Sequence, residues 1–257
     1  MNRIALHIAL AGTMLAGFSA AAVAAPALGL SGDKTLIWFD TDKPGEARKI
    51  EVTGVDKLHG IDLRSSDNMV YGLAGDGSLV TINLDTGAAT AVSKLSKLPP
   101  EGAKVSVDFN PAADKLRVIA SDGTNLRADP ATGAVTEDGK LAFEAGDASA
   151  EMPTEIIATA YTNSFGKPEK TAMYDIHAGG LFLQQTKPND GTLKTIGKLG
   201  IEPGDAVGFD IQTSEDGANT AWLATGGMLY KVSMESGAAE KAAEGLDAGL
   251  RDLAILR

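Results

Sequence analysis

A chain of 257 residues with 44% hydrophobic and 22% charged side chains has globular composition and enough apolar material for a core, which excludes a disordered or fibrous protein. Thirty glycines and ten prolines against 5% aromatic residues favour many short elements joined by tight turns over a few long helices. A formal net charge of −11 argues against nucleic acid or an anionic membrane as partner and makes cations or neutral molecules the better matched ligands.

At the N-terminus, Arg3 precedes an apolar run from Ile4 to Phe18, and small residues follow up to Ala22-Val23-Ala24. This is the pattern of a secretory signal peptide over residues 1–24, with cleavage after Ala24. A transmembrane anchor needs roughly 20 apolar residues. The run here is shorter and is broken by Gly12, Thr13 and Gly17. The mature chain is therefore expected to be periplasmic or secreted from a Gram-negative bacterium, with no membrane span after cleavage. Loss of the leader removes Arg3 and no acid, taking the formal charge from −11 to −12. The sequence has no cysteine, so packing and sheet hydrogen bonds alone must hold the exported fold.

The rest of the chain repeats itself, and the repeat decides the fold class. Leu28 to Val52 (LGLSGDKTLIWFDTDKPGEARKIEV) aligns almost without gaps with Tyr71 to Leu95 (YGLAGDGSLVTINLDTGAATAVSKL). Each copy reads as a short apolar strand, a Gly/Asp turn, a strand of alternating apolar residues, a second Gly turn and a third strand. A third copy runs from Leu116 past Asp122-Gly123 and Ala131-Thr132-Gly133 to Leu141. A looser fourth runs from Met173 past Gly179-Gly180 and Asn189-Asp190-Gly191 to Leu199, and a fifth from Trp222 past Gly226-Gly227 and Glu235-Ser236-Gly237 to Leu246. The alternation in Leu79-Val80-Thr81-Ile82-Asn83-Leu84 belongs to strands and not to helical repeats.

Four copies follow a further strand of shared pattern: Gly60-Ile61-Asp62-Leu63, Ser106-Val107-Asp108-Phe109, Thr159-Ala160-Tyr161 and Gly208-Phe209-Asp210-Ile211. The first copy has no such strand before it, whereas Arg251-Asp252-Leu253-Ala254 has no copy after it. Leu250 to Leu256 is thus expected to complete the blade begun at Ala27. The predicted architecture is an all-β propeller of five four-stranded blades, one domain over residues 25–257, closed by pairing of the C-terminal strand with the N-terminal blade. Positions 62, 108, 160, 210 and 252 are 46, 52, 50 and 42 residues apart, close to the roughly 40–50 of a four-stranded blade.

Several stretches carry a resemblance. Val107-Asp108-Phe109-Asn110-Pro111-Ala112-Ala113-Asp114-Lys115-Leu116-Arg117, then Asn125-Leu126-Arg127, Ala160-Tyr161-Thr162-Asn163-Ser164 and Pro188-Asn189-Asp190-Gly191-Thr192-Leu193 resemble the bacterial domain-of-unknown-function family 4394. The likeness spans essentially the whole mature chain. It implies an exported, propeller-like domain of unassigned function and supplies no chemistry.

The strand preceding each copy is expected to line a central channel, which sets Asp62, Asp108, Asp210 and Asp252 at one level, with Ala160 breaking the ring. Converging carboxylates repel unless protons or a cation neutralise them, and a hard cation such as Ca²⁺ is the natural guest. The competing reading has each Asp accept a backbone N–H of the next blade. Arg64, Arg117, Arg127 and Arg251 are likewise suited to pairing with aspartates and pinning neighbouring blades. Alternatively Arg117, Asn125, Arg127, Tyr161 and Asn163 gather at one mouth and bind an anionic or sugar-like ligand. Asp40-Thr41-Asp42-Lys43-Pro44-Gly45 with Glu51 mimics the spacing of a calcium loop, but Pro44 replaces a ligand and the flanks read as strands, so a plain turn is expected.

Cysteine nucleophiles, zinc-binding His pairs, nucleophile elbows and phosphate loops are absent from the sequence. Beyond the leader only His59 and His177 remain. The expectation is a monomeric binding or scaffolding module that presents its loops to a small molecule, glycan or protein. The alternative is a cation-dependent hydrolase working through the channel aspartates, with His59, three residues before Asp62, as its candidate base.

Overall fold

A computed structural model describes residues 24–257, so the leader expected over residues 1–24 lies outside the described residues apart from Ala24. Every regular element among the described residues is a β-strand, and no helix there is long and apolar enough to cross a membrane. Blade 1 contains β1 (Pro26–Ser31), β2 (Thr35–Asp40) and β3 (Lys43–Glu51). Blade 2 holds β4 (Leu58–Arg64), β5 (Met69–Ala74), β6 (Ser78–Ile82) and β7 (Ala89–Lys94), and blade 3 holds β8 (Val105–Asn110), β9 (Lys115–Ala120), β10 (Asn125–Ala128) and β11 (Val135–Glu137). Blade 4 comprises β12 (Ala142–Phe143), β13 (Ile156–Tyr161), β14 (Met173–His177), β15 (Leu181–Lys187) and β16 (Thr192–Lys198). Blade 5 is β17 (Val207–Thr213), β18 (Asn219–Thr225), β19 (Met228–Val232) and β20 (Ala239–Glu244), and the last strand is β21 (Leu250–Ile255).

β21 joins blade 1, in the order β21-β1-β2-β3, with Leu28 opposite Ala254 and Leu30 opposite Asp252. The inner strands touch in the sequence β21, β4, β8, β13, β17 and back to β21. The chain is thus a five-bladed propeller shut by its last strand, as the repeat predicts. Blade 4 differs from the expected four strands: β12 adds parallel to the outer edge of β16. It lies in the long linker between blades 3 and 4, where the repeat spacing is also longest.

The core falls into clusters that occupy the seams between blades. Leu28, Leu30 and Leu36 of blade 1 meet Leu58, Ile61, Val80 and Ile82 of blade 2 in one cluster. Leu79, the neighbour of Val80, faces the other way and joins Leu73, Phe109, Val118 and Leu126 in the next. Strict alternation in β6 therefore buries both faces of the blade, one against each neighbour. Each buried leucine contributes roughly 1.5–3 kcal/mol, so a cysteine-free ring is held by distributed packing and not by any single staple. The Asp40–Gly45 segment spans the turn at Thr41-Asp42 between β2 and β3, where Asp40 pairs with Lys43 and the Thr41 hydroxyl accepts the Ala25 N–H.

Candidate functional site

Carboxylates join the inner strands of successive blades. Asp62 Oδ2 accepts the Phe109 N–H at 2.7 Å, Asp108 Oδ1 accepts that of Tyr161 at 3.2 Å, and Asp210 Oδ2 accepts that of Ile255 at 2.5 Å. Asp62 and Asp210 also accept, on the second oxygen, the N–H of the residue that follows each. Asp252 Oδ2 takes the Ile61 N–H at 2.7 Å, and Ser106 Oγ takes the Thr159 N–H at 3.0 Å. Each acceptor reaches the residue after its counterpart in the next blade, which resolves the channel into two levels. Asp62, Asp108, Ala160, Asp210 and Ala254 form one; Gly60, Ser106, Ala158, Gly208 and Asp252 form the other.

Asp252 is therefore not level with the other three aspartates, contrary to the alignment. A slip of two residues keeps every side chain on its own face of the strand, so apolar alternation could not reveal it. Glycine makes room at the Asp252 level: a Cβ on Gly60 would stand 2.6 Å from Asp252 Oδ2.

One oxygen from each of Asp62, Asp108 and Asp210 lies within 4.8 Å of the others, in a group that excludes Asp252. Burial, and then the neighbouring carboxylates, push Asp62 and Asp108 well above the usual carboxylate range. Burial pushes Asp210 up to about 6 and Asp252 up to about 8, against the pull of their backbone N–H partners. Among the described residues no Lys or Arg reaches salt-bridge distance of the three. A cavity of about 20 Å³ adjoins them, bordered by Ser65, Ser164, Gln212 and Arg257. Arg257 is tied to Asn68 at 2.9 Å and stacks over Phe165.

Arg64, Arg117 and Arg251 act as clamps between blades. Arg64 grips Asp114 of blade 3 through two bonds of 2.8 and 2.6 Å. Arg251 donates to the carbonyls of Gly32, Asp33, Leu58 and His59, locking β21 to β4. Arg117 is 2% exposed and donates to the Tyr161 hydroxyl, Asn125, Asp138 and Asn189. Arg127 shares Asp138 with it. Burial opposes ionisation of Asp138, but the bonds from Arg127 and Arg117 hold it below the usual range. Of the five residues expected at one ligand mouth, the structure brings Arg117, Asn125 and Tyr161 together with Arg127 alongside, within the seam of blades 3 and 4. Asn163 sits elsewhere, exchanging hydrogen bonds of 3.0 and 2.9 Å with Asn219 of blade 5. That exchange bridges the junction where Ala160 offers no carboxylate.

His59 stands at the opposite mouth, where the inner strands begin, in a cavity of about 240 Å³ that Lys57, Lys104 and Arg251 also border. Three residues of extended strand separate it from Asp62, or about 10 Å. His177 is buried, accepts the Gly179 N–H on Nδ1 and so donates from Nε2 to the Pro153 carbonyl at 2.7 Å. Sequence reasoning missed Lys57 and Lys104; their signal is position, since each immediately precedes an inner strand.

The architecture and the axial channel define a five-bladed β-propeller. The family described as "Domain of unknown function (DUF4394)" matches residues 35–254, and the chain belongs to that family. No curated protein matches. Among solved structures, a Bacteroides thetaiotaomicron protein of unknown function is similar at 15% identity and TM-score 0.52, over 88% of this chain and 60% of that one. A protein of unknown function from Bacteroides caccae is similar at 12% identity and TM-score 0.46, over 85% and 72%. An auxiliary nutrient binding protein from Bacteroides thetaiotaomicron is similar at 11% identity and TM-score 0.47, over 83% and 57%. The chain thus spans less than two thirds of the first of these, and the likeness concerns the fold alone.

Proposed function

We propose that the chain is a binding or scaffolding module whose ring is braced by one divalent cation, Ca²⁺ first, held by Asp62, Asp108 and Asp210. The observation that carries this reading is a set of three buried carboxylates within 4.8 Å beside a space of only about 20 Å³. Such a space admits one ion or one water. Hard cations take carboxylate oxygens, and Asp108 Oδ1 alone is engaged by a protein donor, which leaves Oδ2 for the ion. The same volume counts against the cation-dependent hydrolase, because a substrate has no room beside the carboxylates and His59 is at the far mouth. The leader-like residues 1–24 support export to the periplasm or the medium.

Calorimetric titration of Ca²⁺ into EDTA-stripped protein at about pH 8 tests the cation. One site is expected, weakened at about pH 5 where protons compete, and weakened about tenfold or more in Asp108→Asn, which keeps the bond to Tyr161. Absence of binding by the wild-type protein at the higher pH contradicts the cation.

A further inference from the structure

The wide mouth of the channel has a floor and a rim of different chemistry. Leu58, Val105, Ile157 and Val207, from the first residues of β4, β8, β13 and β17, form an apolar floor. Lys57, Lys104, Arg251 and His59 stand around it, together with the carboxylates Asp33 and Asp205. In a chain of net charge −11 this is a local surplus of cations. Among the described residues Lys57 makes no ion pair and no side-chain hydrogen bond, and Lys104 meets Asp205 only loosely, at 3.9 Å. Arg251 spends its donors on four carbonyls, so its charge is fixed in place without a contacting carboxylate to cancel it.

We propose that this mouth binds a small organic anion, a carboxylate or phosphate group carried on a short apolar body. The apolar part rests on the floor and the anionic head meets Lys57 and Lys104, an arrangement of many apolar contacts and few oriented polar ones that is usual for small-molecule sites. A cavity of about 240 Å³ suits a body the size of one six-membered ring. Burial first, and then Lys57 and Arg251, lower the His59 pKa below its ordinary value. An anion seated here opposes the effect of the two cations, so binding draws a proton onto His59. The inference rests on the binding-module reading but not on the axial cation, which lies toward the other end of the channel.

The test is titration calorimetry at about pH 6.5 and low salt, with benzoate and phenyl phosphate as probes and benzylamine and benzyl alcohol as controls. It is run on both EDTA-stripped and Ca²⁺-loaded protein. One of the anions is expected to bind with a Kd of about 1 mM or tighter, well within what so few atoms can supply. Both controls should be at least about tenfold weaker, and raising the salt to about 0.3 M should weaken the anion. The exposed pair Lys57→Gln with Lys104→Gln should weaken it about tenfold or more at an unchanged melting temperature, whereas Arg257→Gln at the narrow mouth should not. Proton uptake, read from the dependence of the heat on the buffer, should vanish in His59→Gln. Equal binding of benzyl alcohol and benzoate, indifference to the lysine pair, or no anion binding at about 10 mM would each overturn the proposal. A missing Ca²⁺ response at about pH 8 with benzoate binding intact removes the axial cation alone.

Discussion

Asp175, in β14, is fully buried, and its Oδ1 accepts the Thr159 hydroxyl at 2.7 Å and the Gln185 amide at 3.2 Å. Its Oδ2 and the Gln185 Oε1 have no partner. Burial raises its pKa to about 7, against the opposing pull of the Thr159 and Gln185 bonds and the more distant charge of Arg117. A proton on Oδ2 turns one of the two orphaned acceptors into a donor, removing a penalty of about 1–3 kcal/mol. The folded value lies above the unfolded one of about 3.9, so this contribution is complete below about pH 4 and is lost as pH rises through about 7. Asp175→Asn supplies a donor that does not titrate. Its melting temperature should fall between about pH 6 and pH 8 by a few degrees less than that of the wild-type protein, as followed by circular dichroism; an equal or steeper fall refutes the buried proton. Sequence showed Asp62, Asp108 and Asp210 because a repeat copies the positions that join its blades. Asp175 and Gln185 occur in one blade only, and no period points to them.

The turns that recur in blades 2, 3 and 5 show why the element pattern was easier to read than the residue pattern. In Asn83–Gly87, Asp129–Gly133 and Ser233–Gly237 the glycine N–H donates to the carbonyl of the first residue. The first side chain caps the turn: Asn83 and Asp129 each accept two N–H groups, and Ser233 accepts one. Gly133 has φ +72°, and a Cβ there would stand 1.9 Å from the Lys94 carbonyl of blade 2. Both backbone strain and a backbone clash oppose any side chain, so Gly133→Ala should cost roughly 2 kcal/mol or more. Urea denaturation should show the loss as a lower midpoint at unchanged slope; a loss under about 0.5 kcal/mol contradicts the docking of this turn on blade 2. Glycine spacing and alternation made the strands predictable from the sequence pattern. β12 was not, since two residues carry no period and its place is set by the edge of β16.

Across the whole molecule, closure by β21 followed from counting strands, whereas the height of Asp252 in the channel required the register between blades. Five aspartates, Asp62, Asp108, Asp175, Asp210 and Asp252, are buried with raised pKa values, and four of them face the axis. Asp114, drawn down chiefly by Arg64, and Asp138 behave in the opposite sense and lose their contribution only in stronger acid. The balance places maximum stability of the cation-free ring in mild acid, with a decline through about pH 6 to 8 where Asp210, Asp175 and Asp252 ionise. The proposed divalent cation on the axis would do at the higher pH what protons do at the lower. The most direct measurement is the melting temperature of EDTA-stripped protein at about pH 5.5 and pH 8, each with and without Ca²⁺. A higher value at the lower pH, with Ca²⁺ restoring the loss at pH 8 and adding little at pH 5.5, is the predicted result. A stripped protein at least as stable at pH 8, and unmoved by Ca²⁺, would contradict the account.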